Sequence, residues 1–392
     1  MHTGDAITLL LFALGAFLIP LATGRIGLPV AVGEILFGVV VGPHLAGLVH
    51  ANDFITFLAE MGFCFLMFLA GLELDFPRME RAGARRLAVG GVVAVLFFVV
   101  SYACTLALGR PLFLFLVFGA TSVGVLLVTL SEVGMTKTAA GQAMIFVGSV
   151  GEFLTIVLLT AVGFYYQYGF GLELMMEMGK LGLIFIAAYG VLVLLRTLIW
   201  WRPDRFIRVV AAHDPAEVGV RSGMALMLVF VALASLLGVE AILGAFLAGA
   251  LFSFVFREKG ILETKLSSLG FGFFVPIFFI WVGTEFDLSS IMSMQAVTTV
   301  ALFLGASLAA KMLPSMLLLL AGLNLRESVG AGLLLGSPLT LLVAISRIGL
   351  AVKVLDKPTA SAVVLLAIVT GVVFPWTFRA LFAKREPETE KH

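Results

Sequence analysis

The sequence predicts an all-α polytopic membrane protein of about thirteen transmembrane helices, built as two inverted six-helix halves that each contain one broken helix. Three observations carry this. Of the 392 residues, 61% are hydrophobic and 12% are charged, and the mean hydropathy of +1.14 lies far above that of water-soluble domains. Apolar runs of about 20 residues, the length a helix needs to cross a hydrocarbon core of about 30 Å, recur along the whole chain. Short motifs of the first half also return in the same order in the second.

The runs fall at 6–22, 28–43, 53–71, 87–108, 112–130, 139–164, 177–199, 222–237, 240–256, 267–283, 296–321, 328–345 and 359–382. An odd number of crossings puts the termini on opposite sides. With the N-terminus outside, the inward loops hold Arg25, Arg78, Arg81, Arg85, Arg86, Lys137, Arg202, Arg205, Arg208, Arg221, Arg257, Lys259, Lys265 and Arg326. The C-terminal end adds Arg379, Lys384, Arg385 and Lys391, whereas the outward side holds only Arg110, Lys180, Arg347, Lys353 and Lys357. Basic residues mark the cytoplasmic face, so the N-terminus is expected outside an inner (plasma) membrane and the C-terminus in the cytoplasm.

Trp200 and Trp201 at one end of span seven, and Tyr165, Tyr166 and Tyr168 after span six, suit interfacial anchors. The segment Met1 to Asp5 lacks the basic stretch that precedes a cleaved signal, so the first apolar block is expected to be retained. Cys64 and Cys104 stand alone in apolar stretches and read as packing residues, and His44, His50 and His213 read as solvated loop residues. A net charge of +1, with basic residues in short bursts, leaves no face that tracks a nucleic-acid backbone. The bilayer is the expected surrounding, and no nucleic acid is expected as partner.

Gly71-Leu-Glu73-Leu-Asp75 follows span three, and Gly283-Thr-Glu285-Phe-Asp287 follows span ten. Glu34-Ile-Leu-Phe-Gly38 through Gly42 in span two is matched by Ala241-Ile-Leu-Gly-Ala245 through Gly249 in span nine. If spans 1–6 and 8–13 are equivalent, with span seven as linker, the second half is turned over in the membrane. Inverted repeats of this kind place a binding site near the midplane between broken helices. The interruptions fall on equivalent spans: Gly119-Ala-Thr121-Ser122-Val-Gly124 in span five and Gly336-Ser337-Pro338-Leu-Thr340 in span twelve. Pro338 has no N–H to donate, and Gly beside Ser or Thr lets a helix unwind while hydroxyls satisfy the freed backbone.

A charge at mid-bilayer costs about 2.5–3.5 kcal/mol on insertion scales, so each one needs a reason. Glu152 lies in the middle of span six, within Val147-Gly-Ser149-Val-Gly151-Glu152-Phe-Leu-Thr155, and Lys311 lies in the middle of span eleven. Desolvation favours the protonated form of a buried carboxylate and a nearby cation favours the ionised form, so such a group holds either a proton or a hard cation. Hydroxyls and carbonyls of Thr121, Ser122 or Ser149 would complete an oxygen shell. Two other readings stand beside this one: a static buried Glu152–Lys311 ion pair, or Lys311 neutralising the C-terminal ends of the broken helices. Glu34 is a further candidate, as an access carboxylate, while Glu60 and Glu240 are placed near span ends. No nucleophile–base set, phosphate loop or cofactor fingerprint occurs at usable spacing, so neither an enzyme nor a cofactor is expected.

Five segments give the chain a resemblance to the cation:proton antiporter superfamily, especially bacterial sodium:proton antiporters and Kef-type membrane domains. They are Gly33-Glu-Ile-Leu-Phe-Gly-Val-Val-Val-Gly42-Pro43, Phe68-Leu-Ala-Gly-Leu-Glu-Leu-Asp75, Leu243-Gly-Ala-Phe-Leu-Ala-Gly249, Phe278-Phe-Ile-Trp-Val-Gly283 and Ala310-Lys311-Met312. The resemblance implies a dimerisation scaffold of residues 1–75 and 222–295, an ion-binding core of 87–166 and 296–382, a linker helix at 177–199 and a cytoplasmic tail at 383–392. It implies a homodimer that exchanges a monovalent cation (sodium, or else potassium or lithium) for protons by elevator-type alternating access. By position it makes Glu152 the binding acid, Gly151 its preceding partner and Lys311 the core base. A cation channel or uniporter on the same scaffold, and a sodium-coupled organic-anion symporter, are the alternatives. Three departures stand out: Gly151-Glu152 replaces the Asn-Asp, Asp-Asp or Gln-Asp pair, and Ser337-Pro338-Leu339 replaces a segment that carries an acid in Kef-type chains. The end of the chain, about ten residues past span thirteen, is also expected to leave no room for a regulatory domain.

Overall fold

The computed structural model describes residues 3–26, 28–43, 45–49, 53–74, 84–201, 217–256, 260–285 and 294–382. Asp75, Asp287, His44, His50, His213, the basic residues within 75–83, 202–216 and 257–259, and the tail 383–392 lie outside the described residues, as do the side chains of Arg86, Arg196, Trp200 and Trp201. Among the described residues the regular structure is helical throughout. In the first half these are α1 (Thr3–Ile26), α2 (Val30–Val41), α3 (Asp53–Leu72), α4 (Ala84–Ala107), α5 (Leu114–Gly119), α6 (Gly124–Glu132) and α7 (Ala139–Tyr168), followed by α8 (Leu172–Trp201). In the second they are α9 (Val218–Leu237), α10 (Ala241–Val255), α11 (Gly260–Leu269), α12 (Val275–Thr284), α13 (Met294–Ser315), α14 (Leu325–Leu335), α15 (Leu339–Ala351) and α16 (Lys357–Phe382). A π-helical stretch, Gly270–Phe274, joins α11 to α12, and a 3-10 turn, Met316–Ala321, extends α13.

Each expected span has a helical counterpart. Among the described residues, eleven helices or helix pairs are long and apolar enough to cross a bilayer, and the other two, Val30–Val41 and Ala241–Val255, are shorter. Hydropathy alone extends these two to 28–43 and 240–256. The backbone stops sooner: Gly42 is extended, with ψ 172°, as a residue before proline prefers. The two short helices are equivalents under the repeat. The apolar side chains that point away from the protein, such as Phe17 on α1 and Val99 on α4, have lipid as their solvent.

The chain forms two compact units, one of residues 1–81 and 156–289, the other of 82–155 and 290–392, with the division falling inside α7. In the first unit the repeated glycines have a steric reason. A Cβ on Gly71 of α3 would lie 2.1 Å from the Phe246 carbonyl oxygen of α10, and a Cβ on Gly283 of α12 would lie 2.0 Å from the Ile35 carbonyl oxygen of α2. In both halves, therefore, the third helix crosses the short second helix of the other half backbone against backbone. Only glycine admits that approach.

The second unit packs Val93, Phe97, Leu126, Leu130, Met144, Val147, Leu334, Leu335 and Phe378 into one apolar core. Helix α14 starts at a capping box: Asn324 Oδ1 accepts from the Glu327 N–H at 2.9 Å, and the Asn324 N–H donates to Glu327 Oε2 at 2.8 Å. These bonds satisfy two of the orphan donors at the helix start. Asn324→Ala is expected to cost about 1 kcal/mol, read as a lowered melting temperature in detergent. At the same end of α14, Arg326 donates to the Leu381 carbonyl while lying 5.1 Å from the centre of the Phe382 ring, and nearby on α16 Arg379 pairs with Glu132 at 2.7 Å. These contacts hold the end of α16 to α6 and α14.

Candidate ion site

All but one of the residues singled out for the site fall in the second unit, where the helix is broken at two places. Between α5 and α6 the chain unwinds over Ala120–Val123, and between α14 and α15 it unwinds over Gly336–Pro338. An unwound segment inside the bilayer exposes backbone donors and acceptors that must find partners. Here α7 and α13 supply several of them. The Thr121 N–H donates to Thr155 Oγ1 at 3.4 Å, and the Thr155 hydroxyl in turn donates to the Gly151 carbonyl at 2.6 Å. The Thr121 hydroxyl donates to the Gly148 carbonyl at 3.2 Å, and the Val123 N–H donates to Glu152 Oε2 at 3.1 Å. The Gly119 carbonyl accepts from Lys311 Nζ.

The two charges thus sit on opposite kinds of helix end. The Glu152 carboxylate, 1% exposed, stands at the N-terminus of α6, where unpaired N–H groups favour an anion. Its other oxygen, Oε1, accepts from the Ser122 hydroxyl at 3.2 Å. The Lys311 ammonium, fully buried, caps the last carbonyl of α5 and lies 4.4 Å from the centre of the Phe97 ring, a favourable seat for a desolvated cation. Among the described residues no ion pair within 4.0 Å joins Glu152 to Lys311. Each charge is met by its own half-helix.

Glu152, Ser122 and Thr121 are therefore brought together, with Gly119 and Lys311 beside them. Gly124 opens α6, the half-helix whose N-terminal end bears the carboxylate. Ser149 turns to its own helix, donating to the Ile145 carbonyl at 2.9 Å, and makes no hydrogen bond with the carboxylate. Ser337 likewise donates back to the Leu334 carbonyl at 2.7 Å, so with Gly336 and Pro338 it forms the break and makes no hydrogen bond to Glu152. Glu34 lies on α2 in the first unit, 3% exposed, and has no hydrogen-bond partner among the described residues. Of the other acids, Glu240 precedes α10 as its N-cap, and Glu60 is exposed two turns into α3.

Two further residues, absent from the candidates drawn from the sequence, join the site. Thr155 holds the Thr121 N–H, and Thr340, at the start of α15, places its Oγ1 3.4 Å from Ser122 Oγ. Threonine is common in apolar helices, so type alone marks neither. What marks Thr340 is its place two residues after the proline of the second break.

Opposed charges on half-helix ends inside a polytopic helical protein are the apparatus of membrane ion transporters rather than of enzymes. The chain belongs to the sodium/hydrogen exchanger, transmembrane family, whose profile matches residues 11–384. Relatives share this identity at modest distance. The protein named putative Na(+)/H(+) antiporter YjbQ of Bacillus subtilis is 30% identical over 88% of this chain, an alignment that spans 57% of that protein. The protein named Na(+)/H(+)-K(+) antiporter GerN of Bacillus cereus is 26% identical over 86% of each chain. The fold is similar to that of the sodium proton antiporter MjNhaP1 from Methanocaldococcus jannaschii, with a TM-score of 0.65, 15% identity, and coverage of 97% of this chain and 96% of that one. At that identity the likeness speaks for the fold alone.

Proposed function

We propose that the protein is a secondary active transporter that exchanges a monovalent cation, sodium first, for protons. The observation that carries this is the Glu152 carboxylate, buried, hydrogen-bonded to an unwound segment and unpaired with Lys311. An ionised carboxylate has about four lone-pair positions, and protein donors occupy two of these. The rest accept a proton or a hard cation, one excluding the other. With only the loaded forms able to reorient, competition for one site becomes exchange. The names borne by the relatives point the same way.

Residues 87–166 and 296–382 act as the ion-carrying core, residues 1–75 and 222–295 as the dimerisation scaffold of a homodimer, and helix 177–199 as the linker. Alternating access is of the elevator type, in an inner membrane with the N-terminus outside. Thr121 and Ser122 serve as oxygen ligands around Glu152, with Lys311 the core charge and Glu34 the access carboxylate. With Glu152 the one carboxylate that carries the load, the exchange is one for one and electroneutral.

The test is flux in proteoliposomes loaded with a pH dye. A sodium pulse outside acid-loaded vesicles is expected to alkalinise the lumen at the same rate whether or not an ionophore clamps the potential. Sodium entry without proton exit would identify a channel or uniporter and end the exchanger reading. A rate that rises under the clamp would retain exchange but show that Lys311 also releases a proton. Repeating the pulse with lithium and with potassium gives the cation order.

A further inference from the structure

The hydroxyl of Thr340 meets the site from the second broken helix. Ser122 Oγ lies 3.2 Å from Glu152 Oε1 and 3.4 Å from Thr340 Oγ1, so three oxygens from α7, the first break and the start of α15 form one chain. We infer that Thr340 is a cation ligand, and that this oxygen from the second broken helix sets the size of ion the site accepts. The inference rests on the exchanger reading of Glu152.

Two physical arguments support it. A hard cation held at about 2.4 Å places two oxygen ligands that subtend a right angle about 3.4 Å apart. The edges between Glu152, Ser122 and Thr340, 3.2 and 3.4 Å, have that length. They match the edge of an octahedral shell around a cation of sodium's size, whereas the same shell around a larger ion such as potassium has longer edges.

The second argument concerns protons. Each hydroxyl has one hydrogen to donate and two lone pairs to accept with. While Glu152 is ionised, Ser122 spends its hydrogen on Oε1 and Thr340 is the donor of their contact, so one lone pair of Ser122 and both of Thr340 face a metal ion. Once Glu152 is protonated, its own O–H can donate to Ser122, and the Ser122 hydrogen turns on to Thr340. One proton then neutralises the carboxylate and fills one lone pair on each hydroxyl, which leaves the cation a weaker ligand set. Thr340 thereby sharpens the competition between proton and cation as well as fitting the ion.

The experiment compares wild type with Thr340→Val, which keeps the branched shape and removes the oxygen, and with Thr340→Ser, which restores it. Read as sodium-driven alkalinisation in proteoliposomes, Thr340→Val is expected to raise the sodium concentration for half-maximal rate about tenfold. The maximal rate stays within about threefold, and the preference for sodium over potassium falls. Thr340→Ser returns both towards wild type. Should Thr340→Val purify poorly, Thr340→Ala is assayed by the sodium-induced rise in melting temperature in detergent, which is expected to vanish while Thr340→Ser keeps it. Half-maximal concentration and cation order unchanged in Thr340→Val, or a sodium-induced shift intact in Thr340→Ala, would overturn the assignment. A wild-type rate in Glu152→Gln would instead remove the exchanger reading on which it rests, so the two failures are distinguishable.

Discussion

Glu152→Gln is expected to abolish sodium-driven proton movement, a loss of at least about a hundredfold, equivalent to about 2.7 kcal/mol of cation binding. The substitution is chosen because it separates charge from shape. The glutamine oxygen still accepts from the Val123 N–H and its amide NH2 donates to the Ser122 hydroxyl, the two groups that now lie 3.1 and 3.2 Å from the two carboxylate oxygens, so the unwound segment keeps its partners and the protein is expected to purify and melt near wild type. What the amide cannot do is lose a proton, or offer a negative oxygen to a cation. Glu152→Asp keeps the charge but withdraws it by one methylene from the N-terminus of α6, and an intermediate rate with weakened sodium affinity is expected. Exchange in Glu152→Gln at the wild-type rate would remove the carboxylate from the mechanism. Loss of exchange together with a collapsed melting temperature would assign it a packing role instead.

Much of this site can be read from residues alone because the bilayer penalises a misplaced polar group so heavily. Glu152 and Lys311 stand out as charges inside apolar runs. The second break is legible at Pro338, which removes a backbone donor, and the first at Gly119 and Gly124 flanking two hydroxyl residues. The paired glycines Gly71 and Gly283 are legible as a repeat, but their cause is not, since it lies in the carbonyls of Phe246 and Ile35 across two helix crossings. The partner of Lys311 was equally out of reach. An ion pair with Glu152 and a cap on a broken helix both satisfy the ammonium, and only helix rotation decides that it meets Gly119 and the Phe97 ring. The same holds for Ser149, which by type and spacing suits an oxygen ligand but points along its own helix to Ile145. Helix ends show a further limit: hydropathy continues past Val41 because Gly42 and Pro43 are not polar, although the backbone has already left the helix.

Replacing Gly151 by asparagine, which would restore the polar-acid pair of the superfamily the chain resembles, is expected to destroy function rather than improve it. A Cβ at position 151 would lie 2.3 Å from Thr121 Oγ1 and 3.2 Å from its methyl carbon, so any side chain there displaces the first unwound segment. The hydroxyl of Thr121 stands where the side chain of residue 151 would begin. A polar group is thus present beside Glu152, supplied by the broken helix instead of by α7, and the glycine is the condition for its approach. Overpacking at such a contact costs about 1–3 kcal/mol, and here it also pulls the Thr121 N–H from Thr155 and loosens Val123 from the carboxylate. Gly151→Asn and Gly151→Ala should therefore both lower the melting temperature and the sodium affinity. A double-mutant cycle isolates the cause. Thr121→Ala removes the atoms in conflict and leaves its Cβ 3.3 Å away, so Gly151→Ala combined with Thr121→Ala is expected to recover most of the thermal stability lost in Gly151→Ala. It should not recover cation affinity, because the hydroxyl that replaced the missing polar partner is gone. Additive losses in the cycle would mean that residues 121 and 151 do not compete for one volume, and the departure from the superfamily pattern would need another explanation.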